Sequence, residues 1–316
     1  MTYTNGYDLP VFGIDNGSFY ALHILAVTCI FLSLSSAIFI IAASIKQHGL
    51  RTFFTWSKSE RFVVYLALCD AFFNICHSLD HLHILLTKDH VRPASLCTFY
   101  SVNIVEFVFA QTLMVNVVAI NVFVLIFFGK NLDFGKRDWR LLLWTFGTPL
   151  LIAMILLSTG QLGPTGAYCF LDGVTGRISN IVLTTGSMCM ILTVNSVLYA
   201  LTWYRIASEA KRLESTLGGT SASVKASHRA ARNMFLFLTA FFVQWWALAV
   251  NGIWFLFDVP PVALFQIVTT FSNIGGVLNL LVYLVIRRRK RALTPTETSK
   301  AATKTTAATA ETQAAP

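Results

Sequence analysis

Seven long apolar stretches constrain this chain more than any other feature. They run roughly over 21–45, 62–86, 97–128, 141–157, 178–204, 233–257 and 262–286. A membrane-crossing helix needs about 20 apolar residues to cover about 30 Å of hydrocarbon, and each stretch approaches or exceeds that length. Within lipid every backbone N–H and C=O needs an internal partner, which leaves helices or a closed barrel. Barrel strands are about 10 residues long and alternate apolar with polar, whereas these runs are longer and continuous. With 55% of its 316 residues hydrophobic and 12% charged, the chain has little left for a soluble domain. The expected fold is all-α, a seven-transmembrane helix bundle.

The net charge of +9 resembles a nucleic-acid footprint only until its distribution is read. Of the 24 Lys and Arg residues, all but Lys88, Arg92 and Arg177 fall in the first, third and fifth loops or after the last span. Cytoplasmic loops carry the cationic excess, which predicts an extracellular amino terminus and a cytoplasmic carboxyl terminus. The basic residues are then topological, with a lipid bilayer as their neighbour and no nucleic-acid partner expected.

Three regions follow: an extracellular amino-terminal segment over 1–20, the seven-span domain over 21–293 and a tail over 294–316. The segment has no basic n-region, so no cleaved signal peptide is expected. It carries an N-x-S acceptor at Asn16-Gly17-Ser18, and glycosylation at Asn16 or an unused sequon are the two readings. Gly218-Gly219-Thr220-Ser221 marks a flexible break in the fifth loop. The Ala/Thr-rich tail lacks the apolar surface to offset ordering entropy and is expected to be disordered. Its threonines are either kinase targets or solubilising.

Cys29, Cys69, Cys76 and Cys189 lie inside spans, where free cysteine acts as a small hydrophobe. Cys97 opens span three at its outer end and Cys169 lies in the outer loop between spans four and five. An oxidising exterior permits a bridge between them, which would pin that loop over the bundle mouth. Two unpaired thiols are the other reading.

Ionisable groups inside spans each cost about 2.5–3.5 kcal/mol at mid-bilayer on insertion scales. In span two, Asp70, Asn74, His77 and His81 share one helical face, so that stripe must face the bundle interior. His77, Asp80 and His81 sit in the outer half, where water and ligand reach. Glu106 lies about 13 Å below Cys97 at 1.5 Å per residue, a depth suited to a pocket floor; pairing with a neighbouring helix is the competing reading. Span seven keeps Thr269, Gly276, Asn279 and Tyr283 to one side, and Gly275-Gly276 permits close approach of another helix. Among the span-six aromatics Trp245, Trp246 and Trp254, most such residues serve packing; Trp254 is taken as a pocket wall. No metalloprotease, nucleophile-elbow or phosphate-loop motif is present, so no enzyme activity and no cofactor are expected. His77, His81, His83 and Asp80 read as a hydrated polar pocket rather than a metal site. Span seven contains no lysine for a retinal Schiff base.

An external amino terminus, seven spans and cysteines at Cys97 and Cys169 resemble a G-protein-coupled receptor. Leu66-Ala67-Leu68-Cys69-Asp70 resembles the Leu-Ala-x-x-Asp of receptor span two, and Trp144 with Pro149 resembles the span-four pair. Asn279-Leu280-Leu281-Val282-Tyr283 has the spacing of the Asn-Pro-x-x-Tyr switch, with Leu280 in place of proline. The inner end of span three reads Phe128-Gly129-Lys130-Asn131 rather than Asp-Arg-Tyr, and span six has no proline. The closer resemblance is to the cAMP-receptor-like family and its orphan animal relatives, with rhodopsin-like receptors second. It rests on Ala119-Ile120-Asn121-Val122-Phe123-Val124-Leu125, Cys97-Thr98-Phe99 and Trp144-Thr145-Phe146-Gly147-Thr148-Pro149-Leu150.

The resemblance implies a plasma-membrane receptor that passes an extracellular ligand signal to a heterotrimeric G protein. Asp70, Asn279 and Tyr283 would form the interior switch, and His77, Asp80, His81, Glu106 and Trp254 the ligand pocket. Arg205, Arg212, Arg229 and Arg232, with Lys136 and Arg137, would contact the G protein. Cyclic-nucleotide binding does not follow, because only Lys88, Arg92 and Arg177 stand outside to meet a phosphate. The rival is a transporter or ion or proton channel using the polar stripe of span two. The absence of internal repeats and of Gly/Pro-broken spans weighs against it.

Overall fold

The structure is a computed structural model that describes residues 3–217, 222–254, 256–257 and 261–291. The Gly218–Ser221 break and the 294–316 tail lie outside these residues. Among the described residues six helices are long and apolar enough to cross a membrane, and a bent helix pair supplies a seventh span.

The spans are α1 (Phe19–His48), α2 (Lys58–Thr87), α3 (Ala94–Phe128) and α4 (Lys136–Ser158). Next, α5 joins Arg177–Ser179, a π-helical stretch Asn180–Gly186 and Ser187–Leu217. Span six is α6 (Ala222–Trp254), and span seven is α7 (Val262–Ser272) followed by α8 (Gly275–Arg291). Glycines in the left-handed region close α1 at Gly49 (φ 77°) and α3 at Gly129 (φ 65°), the conformation that glycine reaches without steric cost. α3 is the central post: it touches α2, α4, α5, α6 and both strands of a small hairpin.

Polarity is distributed inside out. Ile24, Phe31, Phe39, Leu151, Val182 and Leu281 are exposed, while Asp70, Asn74, His77, Asp80, His81, Gln111 and Gln244 are buried. Such a contiguous exposed apolar surface is the mark of a lipid-facing belt, and the buried polar groups bond to one another. The protein is a multi-pass seven-helix bundle.

At the amino-terminal pole, β1 (Leu162–Pro164) and β2 (Cys169–Leu171) form an antiparallel hairpin with Pro164 opposite Cys169. Cys97 and Cys169 form a disulfide, and the Cys169 backbone N–H donates to Asp80 Oδ2 at 2.8 Å. Asp172 holds the next turn: its Oδ1 accepts from the Val174 and Thr175 N–H groups, both at 2.9 Å, and its Oδ2 from the Gly6 N–H at 2.8 Å. The amino-terminal segment thereby lies across the hairpin. The Phe12 N–H donates to the Gly166 carbonyl at 2.8 Å, and the Phe12 ring stacks on Phe265.

Span seven departs from the sequence expectation of unbroken spans: α7 and α8 meet at 43°. No proline causes the bend. Thr269, Thr270 and Ser272 hydroxyls and the Asn273 amide each donate to the carbonyl four residues back, which bends helices. Gly275-Gly276 then adds two residues of low helix propensity.

Candidate functional site

The polar stripe of α2 resolves into two clusters at different depths. The deeper one centres on Asp70. Asp70 Oδ1 accepts from Gln111 Nε2 at 3.0 Å, and Oδ2 accepts from Asn279 Nδ2 at 2.6 Å. Gln111 and Gln244 pair their amides reciprocally at 3.3 and 3.4 Å, and Gln244 Nε2 also donates to the Ser272 carbonyl at 3.2 Å. Asn74 donates to the Asp70 carbonyl and to Ser33 Oγ, which accepts from the Gly276 N–H at 2.7 Å. One connected network thus ties α1, α2, α3, α6 and both halves of span seven at the helix break. A buried network this densely bonded, with Asn74 Oδ1 the one buried side-chain atom in it lacking a partner among the described residues, specifies one arrangement of its helices.

The shallower cluster is a chain of three imidazoles. His23 Nδ1 and His81 Nδ1 lie 2.8 Å apart, and His81 Nε2 and His77 Nε2 lie 3.2 Å apart. A neutral imidazole has one N–H donor and one acceptor, so the chain can be polarised in either direction. His81 uses opposite ring nitrogens for its two contacts, so the rings do not converge on one point. Among the described residues no three His, Cys, Asp or Glu side chains converge to hold a metal.

Above the Asp70 network and beside the imidazoles is a cavity of about 260 Å³. Its apolar wall includes Phe73, Ile104, Val108, Leu248, Phe265 and Val268, and its roof is Tyr168, Phe170 and Leu171 of the hairpin with Leu9 of the amino-terminal segment. Its polar lining includes His77, His81, Thr184, Asn251 and Asn273. Tyr168 lies edge-on to His77, and burial, with the Asp80 charge adding, pushes its hydroxyl up to about 12. The roof is therefore uncharged at neutral pH.

The residues expected to form the pocket separate. His77 and His81 line the cavity, whereas Asp80, Glu106 and Trp254 do not. Asp80 is fully buried behind His77, with Oδ2 3.9 Å from His77 Nδ1, and it holds the hairpin. Glu106 is buried, with Oε2 unpartnered among the described residues. Trp254 is 47% exposed, on the outer surface beside Val250 and Ile253. Trp245, nine positions earlier in the same helix, is the tryptophan at the cavity. Nine residues turn a helix through about two and a half turns at 3.6 per turn, so the two face opposite ways.

Of the expected switch, Asp70 and Asn279 are in direct contact, while Tyr283 sits one turn further on and accepts from Arg287 at 3.1 Å. At the basic pole Lys136, Arg137, Arg205, Arg212 and Arg232 are exposed, and Arg205 pairs with Glu209 at 2.8 Å. The Arg229 side chain lies outside the described ones.

Sequence reasoning missed His23, although a lone histidine in the first span carries the same signal that marked His77. It also missed an anchor at the basic pole. Arg61 clasps Asp138 through Nε (2.6 Å) and a terminal nitrogen (3.0 Å), and Tyr65 donates to the same carboxylate at 3.0 Å. Arg137 and Asp138 are both left-handed, with φ 58° and 59°. Two adjacent non-glycine residues in that region cost about 1–2 kcal/mol each, which the two-point ion pair offsets.

No protein-family model matches the chain, and no curated protein matches it. Among solved structures, the crystal structure of squid rhodopsin aligns with a TM-score of 0.63 and 19% sequence identity, over 92% of this chain and 88% of that one. The fold is rhodopsin-like. The likeness is one of architecture.

Proposed function

We propose that the protein is a plasma-membrane receptor of the G-protein-coupled type, with its amino terminus outside and its carboxyl terminus in the cytoplasm. It binds an extracellular ligand in the cavity and engages a heterotrimeric G protein at the basic pole. Two facts support this orientation: the cations gather at the basic pole, and the disulfide at the other pole belongs in an oxidising compartment.

One observation carries the reading. Two adjacent pairs, Gln244-Trp245 on α6 and Ser272-Asn273 at the end of α7, each join cavity to core. Trp245, Ser272 and Asn273 line the cavity, and the Ser272 carbonyl accepts from Gln244 of the Asp70 network. A ligand pressing on this floor shifts α6 against α8 by repacking amides, and so biases a two-state bundle. At the other end of α6, with the facing end of α5, lie Arg205, Arg212, Arg229 and Arg232, and at the same basic pole Lys136 and Arg137, next in sequence to the Asp138 that Arg61 clasps. Parting these ends opens a groove for a partner helix.

The Asp70→Asn, Tyr283→Phe double variant is expected to lose at least about tenfold in G-protein recruitment in cells. The new amide keeps one acceptor oxygen and presents its N–H₂ toward the other of the two donors Asn279 and Gln111, so a bond to the carboxylate of about 1.5–3 kcal/mol is lost. Unchanged recruitment at equal surface expression removes the switch assignment.

Asn16 is exposed and its Oδ1 accepts from Ser18 N–H and Oγ, leaving Nδ2 for a sugar. Enzymatic deglycosylation is expected to shift the gel mobility of wild type and not of Asn16→Gln. An unchanged wild-type band rules out glycosylation there.

The transporter or channel reading draws support from the broken span seven and the imidazole chain. Against it, no hydrogen bond links His77 to the Asp70 network among the described residues, so a proton path stops there. Ion or proton flux in proteoliposomes without a G protein would establish it.

A further inference from the structure

Below its roof and rim, the described lining of the cavity carries polarity without charge. Asp172, in the turn after β2 at the roof, is the one carboxylate among its described lining residues, and the backbone N–H groups of Gly6, Val174 and Thr175 share its two oxygens. The one cationic side chain, Arg177, is at the exposed rim. Among the described residues an ammonium entering the cavity meets no carboxylate below the roof, and an anion meets no cation there. Burying an unpaired charge costs several kcal/mol, so both are rejected.

Neutral polarity is present in excess. Eleven buried side-chain polar atoms lack a hydrogen-bond partner among the described residues, and five belong to cavity-lining side chains. They are His77 Nδ1, Thr184 Oγ1, Trp245 Nε1, Asn251 Oδ1 and Asn273 Oδ1. They come from α2, α5, α6 and α7, and His77, Thr184, Trp245 and Asn273 are each more than nine-tenths buried. An unmet buried donor or acceptor costs about 1–3 kcal/mol; His77 Nδ1 lies 3.9 Å from Asp80 Oδ2, and the other four belong to side chains around one void that need only turn toward it for another molecule to complete their bonding. Those four are a donor at the indole, two amide acceptors and a hydroxyl that adapts. At about 30 Å³ for each water, the cavity of about 260 Å³ suits a body on the order of ten non-hydrogen atoms.

Resting on the receptor reading, we propose that the cavity takes an uncharged, compact, largely apolar molecule, such as an aromatic alcohol, bearing at least one hydroxyl or N–H group that meets the unpaired amides of span six or seven. Amines, carboxylates and phosphates are excluded by the same walls.

Three probes sharing one ring system test this: tryptophol, tryptamine and indole-3-acetate, which end in hydroxyl, ammonium and carboxylate. Their binding to the full-length protein in lipid nanodiscs near neutral pH is measured by equilibrium competition with radiolabelled tryptophol, and directly with each labelled probe. Tryptophol is expected to bind at least tenfold more tightly than either charged isostere. Thr184→Val keeps the side-chain shape and removes an unpaired hydroxyl, so its ligand-free melting temperature is expected to be equal or higher while tryptophol binding weakens severalfold. Asn251→Ala is expected to weaken it likewise. A charged isostere binding as tightly as tryptophol overturns the proposal, as does the absence of binding by all three at millimolar concentration. G-protein recruitment in cells separates the two readings. Tryptophol binding without recruitment keeps the ligand class and removes the receptor. Recruitment driven by tryptamine or indole-3-acetate keeps the receptor and removes the ligand class.

Discussion

A Gly276→Ala variant is expected to be retained inside the cell and, once extracted in detergent, to melt far below wild type. A Cβ at this position would overlap the Ser33 backbone carbonyl oxygen and lie 2.7 Å from Ser33 Oγ and 2.9 Å from the carbonyl carbon. Contacts below about 3 Å cannot be absorbed by a rotamer when the obstructing atom is backbone. α1 and α8 must then move apart, and this parts the Gly276 N–H from Ser33 Oγ and loosens the Asn74 and Asp70 bonds behind it. Overpacking alone costs about 1–3 kcal/mol, and each buried polar group left unmet adds about 1–3 more. Gly186→Ala is the matched control. Its nearest new contact is 3.7 Å away, so helix propensity alone predicts a neutral or slightly stabilising change. Equal melting temperatures for the Gly276 variant and wild type would show that α1 and α8 are not held at this distance.

The second large effect is expected on removing the disulfide. Cys97 and Cys169 are separated by 72 residues, and closing a loop of that order stabilises a soluble chain by about 4 kcal/mol in the chain-entropy view. In a bilayer the inserted spans already limit the open state, so about 2–4 kcal/mol is the expected loss. The variant of choice is Cys97→Ser with Cys169→Ser, which leaves no lone thiol to mispair. It retains the Asp80 bond to the residue 169 backbone, so the hairpin loosens rather than detaches, and the roof of Tyr168, Phe170 and Leu171 lifts from the cavity. The checks are the melting temperature and the rate at which radiolabelled tryptophol leaves. A melting temperature within a degree of wild type would assign the roof's stability to Asp80 and Asp172 instead.

Much of the candidate site was legible because the bilayer makes polarity expensive. The stripe Asp70, Asn74, His77 and His81 had to face inward, and it does. Which partners each group would find was not legible, since Gln111 and Gln244 are 133 positions apart and meet only by packing. Trp254 shows the same limit from the other side. One tryptophan in three on a helix faces the cavity, and only the rotation of α6 about its axis selects Trp245. Asp80 was read as ligand-facing because it shares the depth of His77 and His81, but one position along a helix turns a side chain by about 100°. It points to the hairpin instead. The bend in span seven escaped detection because no proline marks it; threonines, a serine and an asparagine that bond back to their own helix make it.

Sequence alone determined that this chain forms seven lipid-facing helices, which faces of them are turned inward, and that its cations collect at one pole. Those are one-body properties, fixed by how each side chain partitions between water and hydrocarbon. Tertiary structure decided the pairings: Asp70 with Gln111 and Asn279, three imidazoles in a row, Asp138 under Arg61, and a cavity whose one described carboxylate lies at the roof. These depend on helix rotations and offsets of a few ångströms, and hydrogen bonds, whose strength falls away within about half an ångström of their optimum, are formed or lost on that scale.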